Sequence, residues 1–132
     1  MFTLQQMRAA HAKVKSGADF PAYVQEIKQL GLLHYEFMVS NGQTIYHGAD
    51  DLQFSSDPSY TNKTISGTVS PQLLQQIIVE HQQGKSDFLT LCQQVANAGV
   101  AKWIVDTQAM VCRYYDLSGN EIINEPIPDN GY

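Results

Sequence analysis

His34, Glu36 and His47 come nearest, by residue type and spacing, to a chemical site in this sequence. Residues 32–39 alternate. Leu33, Tyr35, Phe37 and Val39 point one way, and His34, Glu36 and Met38 point the other. That period of two is the pattern of a half-buried strand. Asn41-Gly42 follows, a strong hairpin signal, and residues 43–47 form the returning strand. A two-residue turn sets Ser40 opposite Gln43, Phe37 opposite Tyr46 and Glu36 opposite His47. His34, Glu36 and His47 then share the outer face, within diagonal reach of one another. Two imidazoles and a carboxylate can bind a divalent metal or support acid–base work. Asp50 or Asp51 could add an oxygen ligand. The same three residues also make an ordinary cross-strand contact on an open face.

A second group is aromatic. Tyr35, Tyr46 and Trp103 concentrate on strands and could line a ligand cavity between sheet and helices. The rival reading makes them core of a small sheet. A filled core there would dismiss the cavity, and an apolar space of a few hundred cubic ångströms, on the order of a ligand pocket, would support it. His11 and His81 lie on or beside helical apolar stripes and read as partly buried core histidines. Cys92 and Cys112 read as buried small hydrophobes. No glycine-rich phosphate loop and no Gly-x-Ser-x-Gly elbow occurs, so no cofactor is expected.

These residues need elements to hold them. Thr3 caps a helix expected over about 3–15, with Leu4, Met7, His11 and Val14 at helical spacing. Ser16-Gly17 breaks it. A second helix spans about 19–30, with Pro21 in its first turn and Gly31 as its stop. Residues 48–68 are polar and read as a long loop with a short strand near 52–54. Ser70-Pro71 opens a third helix that ends at Gly84, and Ser86 caps a fourth that ends at Gly99. Strands follow over about 100–107, 109–117 and 121–125, and the tail from Pro126 is expected to be loose.

The order helix, helix, strand, strand occurs twice. A shift of 68 residues sets Asp19-Phe20 on Asp87-Phe88, Gly31 on Gly99, Tyr35 on Trp103 and Tyr46 on Tyr114. At the positions of His34 and Glu36 the second half carries Lys102 and Ile104, so the metal-type cluster belongs to one half only. The expected architecture is α+β: one domain over 1–132, built from helix–helix–hairpin halves at about 3–48 and 70–117. A polar loop at 49–69 joins them, and the sheet is mostly antiparallel.

The layout resembles the YdfO-like family, small bacterial proteins of unknown function often labelled phage-envelope-protein-like. The resembling residues are Asp19-Phe20 with Tyr23-Val24, the stretch from Leu30-Gly31-Leu32 through Tyr35-Glu36, and Ile45-Tyr46-His47. The resemblance implies a compact α+β fold and a frequent prophage or enterobacterial association. It carries over no catalytic residue.

Composition bounds the rest. The 132 residues are 43% apolar and 16% charged, enough apolar material for one core. The formal net charge is -5 with no basic run, which gives nucleic acid no electrostatic footing. No apolar stretch approaches the ~20 residues of a membrane span, and the first residues are not a secretory signal. The expectation is a cytoplasmic, non-enzymatic binding or self-associating module. Its partner is a second copy or another protein, with neither nucleic acid nor membrane involved. Met38, Ile45, Ile104 and Val111 supply the apolar side chains of that outer surface. The alternatives are a metal-binding protein or enzyme using His34, Glu36 and His47, and a small-molecule module using Tyr35, Tyr46 and Trp103.

Overall fold

The computed structural model describes residues 2–14 and 19–127. Its helices begin where the capping chemistry puts them. Helix α1 (Leu4–His11) starts at Thr3 in a reciprocal cap. Gln6 N–H donates to Thr3 Oγ1 at 3.1 Å, and Thr3 N–H donates to Gln6 Oε1 at 2.8 Å. Helix α2 (Phe20–Gln29) carries Pro21 in its first turn and stops before Gly31, whose φ of 104° suits glycine. Helix α3 (Pro71–Gln82) is capped by Ser70. Helix α4 (Phe88–Asn97) is capped by Asp87, not by Ser86: the Asp87 carboxylate accepts from Thr90 N–H at 2.7 Å. The expected break at Ser16-Gly17 lies outside the described residues.

The strands are β1 (Leu32–Met38), β2 (Gln43–Gly48), β3 (Gln53–Ser55), β4 (Lys102–Asp106), β5 (Val111–Tyr115) and β6 (Glu121–Pro126). They form one antiparallel sheet in the order β3-β2-β1-β4-β5-β6. The α+β class therefore holds. All four helices contribute to a single core with the inward residues of the sheet: Met7, Ile27, Leu74 and Val95 pack with Phe37, Trp103 and Val105. The opposite face carries His34, Glu36, Ile45 and Ile104. Among the described residues, no helix is long and apolar enough to cross a membrane.

The β1–β2 register differs from the two-residue turn expected at Asn41-Gly42. Met38 pairs with Gln43, Glu36 with Ile45, Tyr35 with Tyr46 and His34 with His47. The turn is wider because the following loop grips it. Tyr60 Oη donates to Val39 O at 2.6 Å, Lys63 N–H to Ser40 O at 2.6 Å, and Ser59 N–H to Asn41 O at 2.8 Å. Three long-range bonds outweigh a local turn preference. From His34 to Met38 the slip is an even number of residues, so those side chains keep their faces; a register shift between Leu32 and His34 makes Leu32, not the expected Leu33, the core residue at the start of β1.

Two further corrections concern the ends. Helix α1 stops at His11, earlier than the expected 15. Pro126 belongs to β6, and Ile127 is 7% exposed, with its N–H bonded to Met110 O at 2.9 Å. The chain is therefore held through Ile127, and 128–132 lie outside the described residues.

Thr107 is the one buried polar side chain among the described residues. Its hydroxyl lies 2.6 Å from Leu32 O and 2.9 Å from Leu33 O, so it clips the end of β4 to the start of β1.

Candidate functional site

The fold leaves a cavity of about 290 Å³ between the helices and the inner face of the sheet. Tyr35 of β1, Trp103 of β4, and Cys112 and Tyr114 of β5 line the sheet side. Phe20 and Tyr23 of α2 and Phe88 and Leu91 of α4 line the helical side. Alternation on the strands turns Tyr35 and Trp103 inward, and both are buried, at 6% and 5% exposed. His11, Gln82 and Pro126 also border the cavity and are exposed, so they mark its mouth.

The rings brace one another. Phe88 meets Trp103 edge-on at 6.2 Å, and Tyr23 meets Tyr35 edge-on at 6.3 Å. The His11 ring stands edge-on to both Tyr23 and Phe88 at 5.6 Å. His81 Nδ1 lies 3.0 Å from Ser86 O. Ser86 Oγ lies at the same 3.0 Å from Nδ1, so this nitrogen can donate to the carbonyl or accept from the hydroxyl, according to its tautomer.

The histidines, tyrosines and cysteine of this space are biased toward neutrality. Burial lowers the pKa of His11 and of His81, and the Ser86 carbonyl opposes it only in part at His81. Burial raises the Tyr23, Tyr35 and Tyr114 hydroxyls well above their ordinary value. Burial also pushes the Cys112 thiol up to about 12, so it is not a thiolate nucleophile at neutral pH. The cavity offers aromatic rings, neutral hydrogen-bonding groups and the carboxylate of Glu125.

Of the three aromatic residues picked out in the sequence, Tyr35 and Trp103 line this cavity. Tyr46 is buried beside Tyr35, with ring centroids 6.0 Å apart, and is not part of the lining. Phe20, Tyr23, Phe88 and Leu91 were legible only as helical stripe residues. Glu125 is the lining residue with the weakest sequence signal, because adjacent Ile122 and Ile123 leave the inward face of β6 ambiguous.

The second candidate cluster lies on the opposite face. His34 and His47 stack with centroids 4.2 Å apart and planes 14° from parallel. Glu36 Oε2 is 3.8 Å from His47 Nε2, and Glu36 Oε1 is 3.6 Å from Lys102 Nζ. The three residues are close together, as their shared face implies. An imidazole lone pair lies in its ring plane, so two nearly parallel stacked rings do not aim at one ion. Among the described residues, no group of three or more His, Cys, Asp or Glu side chains is arranged to hold a metal. Asp50 and Asp51 sit exposed in the β2–β3 turn, at φ of 58° and 62°. Burial and the neighbouring His47 lower the His34 pKa, so this ring also favours its neutral form.

A wider depression of about 650 Å³ lies between the loop at Thr61–Ser66 and α4. Its side chains are polar, several are exposed, and Lys63 Nζ already bonds Gln93 Oε1 at 3.2 Å. It lacks the apolar walls of the first cavity.

Met38, Ile45, Ile104 and Val111 are each half-buried on the outer face and interspersed with charged residues. The exposed large apolar side chains among the described residues are elsewhere: Leu73, Val79, Leu89 and Leu117.

Comparison with known proteins adds a family to this geometry. Residues 8–126 match the family described as "Protein of unknown function (DUF1398)". The chain is also similar to "Uncharacterized protein YcgX" of Escherichia coli (strain K12), 23% identical over 118 residues that cover 89% of this chain and 88% of that protein. Neither of these descriptions carries the YdfO-like or phage-envelope label that the resemblance implied. With most of its length matched, from the last turns of α1 to the end of β6, the chain belongs to the DUF1398 family of proteins of unknown function.

Proposed function

We propose that this protein is a non-enzymatic binding module for a small, largely apolar molecule held in the cavity between Tyr35, Trp103 and the helices. The observation that carries the reading is the cavity itself. A concave space of about 290 Å³ walled by six aromatic rings, with a few polar groups among them, has the form of a small-molecule site. Neutral histidines, tyrosines and a protonated thiol supply hydrogen bonds without supplying a nucleophile.

The reading as two related halves fits the same site. At the 68-residue offset, Glu36 is paired with its own counterpart Ile104 across the central β1–β4 ladder. Tyr35↔Tyr46 recurs as Trp103↔Tyr114. Val39 N–H bonds Ala101 O, and Thr107 N–H bonds Leu33 O, both at 3.0 Å. The cavity takes Phe20, Tyr23 and Tyr35 from one half and their counterparts Phe88, Leu91 and Trp103 from the other. A ligand there would tie the halves together.

Thermal unfolding tests the reading. A ligand that binds only the folded state raises the melting temperature by mass action. Benzyl alcohol and benzylamine, single-ring probes well within the cavity's volume, should raise it in a dose-dependent way. Leu91→Phe, which fills the space, should abolish the rise; if that variant unfolds, Ile78→Phe serves. No rise with either probe would remove the cavity as a binding site.

A further inference from the structure

The cavity contains one charge-bearing group that a purely apolar ligand does not explain. Glu125 pairs with Cys112 across the β5–β6 ladder. Cys112 is buried on the helix-covered face, so Glu125 is turned to that face too. It is only partly buried and lines the cavity beside Pro126 and Ile127. Its charge reaches both Cys112 and Tyr114, where it helps raise their pKa values. Among the described residues, no Lys or Arg lines the cavity, and Glu125 makes no ion pair. Every other carboxylate on the strands is differently placed: Glu36, Asp106 and Glu121 each have a basic partner.

Aromatic faces carry the negative part of the ring quadrupole and attract cations. The rings of Trp103, Tyr35 and Tyr114 border the same space as the carboxylate, so a cation seated over one of their faces gains both attractions. His11 and His81, kept neutral by burial, do not cancel them. An inward charge on an edge strand can also serve only to discourage edge-to-edge pairing. That role needs neither an aromatic enclosure nor a cavity next to the charge.

We propose that the cavity selects a small organic cation, a protonated amine on an apolar frame, with its ammonium group at Glu125 and its apolar part against Trp103 and Tyr35. This inference names the ligand class of the binding site proposed above and rests on that reading.

Benzylamine and benzyl alcohol separate the two claims, because they differ mainly in charge. Calorimetric titration at neutral pH should show benzylamine binding on the order of tenfold more tightly, the scale of a desolvated cation–aromatic contact. Glu125→Gln should bring the two probes to similar affinity. Asp57→Asn, the same change of charge on an exposed loop, should leave the preference intact. Equal affinity in the wild-type protein would overturn the cation class while leaving the cavity as a site. A preference that survives Glu125→Gln would overturn the role of Glu125. Binding of neither probe would overturn both proposals.

Discussion

Glu125 stands directly across the β5–β6 ladder from Cys112, which places a carboxylate on the same side of the sheet as the hydrophobic core. The relationship arises from register alone. Ile123 opposite Tyr114 and Glu125 opposite Cys112 alternate inward, and a bulge between Tyr114 and Tyr115 precedes them. A shift of one residue would send Glu125 to solvent.

The β1–β4 junction makes the first prediction. Thr107→Val removes the hydroxyl that Leu32 O and Leu33 O accept from, while keeping the side-chain shape. Leu32 O then loses a buried bond, and the expected loss of stability is about 1–3 kcal/mol. Urea unfolding checks it, and Thr107→Ser should lose less.

Gly42 tests the grip of the loop on the hairpin. It sits at φ 74°, and a Cβ there would come within 2.7 Å of the Tyr60 ring and 2.8 Å of Ser59. Gly42→Ala should cost at least about 1–2 kcal/mol from the left-handed backbone alone, and should also displace Tyr60. Tyr60→Phe keeps the ring and removes the hydroxyl that bonds Val39 O at 2.6 Å and also meets Cys92, so it should cost roughly 1 kcal/mol or somewhat more. Equilibrium unfolding of both variants gives the comparison.

Histidine burial sets a pH dependence. His11, His34 and His81 titrate below their ordinary value of 6.5 in the folded chain. Between those lowered values and 6.5 the unfolded chain binds more protons, so stability rises with pH across that window. The melting temperature should fall as pH is lowered from above 6.5 toward the lowered values. His11→Gln with His81→Gln should flatten that slope, and an unchanged slope would contradict the lowered pKa values of these two rings.

The outer-face cluster predicts a weak metal response. His34 and His47 are stacked at 4.2 Å, so Zn²⁺ should raise the melting temperature of the wild-type protein no more than that of His47→Ala. A rise of several degrees lost in His47→Ala would show that the rings separate to share an ion.

Local chemistry made much of this fold legible. Thr3, Ser70 and Pro71 announce helix starts, Gly31 and Gly99 announce stops, and period-two alternation places Tyr35 and Trp103 on the inner face. The hairpin register was not legible, because Tyr60, Ser59 and Lys63 act on the turn from about twenty residues away in sequence. Nor was the cavity: a stripe of apolar residues shows which side chains face inward, not whether they meet. Glu125 was hidden by the double isoleucine before it, which lets β6 be read in either register. His34, Glu36 and His47 were correctly placed on one face, but the sequence could not show that two of the rings would stack.

Trp103 is the chain's one tryptophan and lies in the cavity wall, so its emission reports directly on occupancy. The decisive measurement is a titration of that emission with benzylamine and benzyl alcohol in the wild-type protein and in Leu91→Phe. The account predicts a saturable change in the wild-type protein that Leu91→Phe abolishes. Emission unchanged up to the solubility limit of both probes, in a protein shown to be folded, would contradict it.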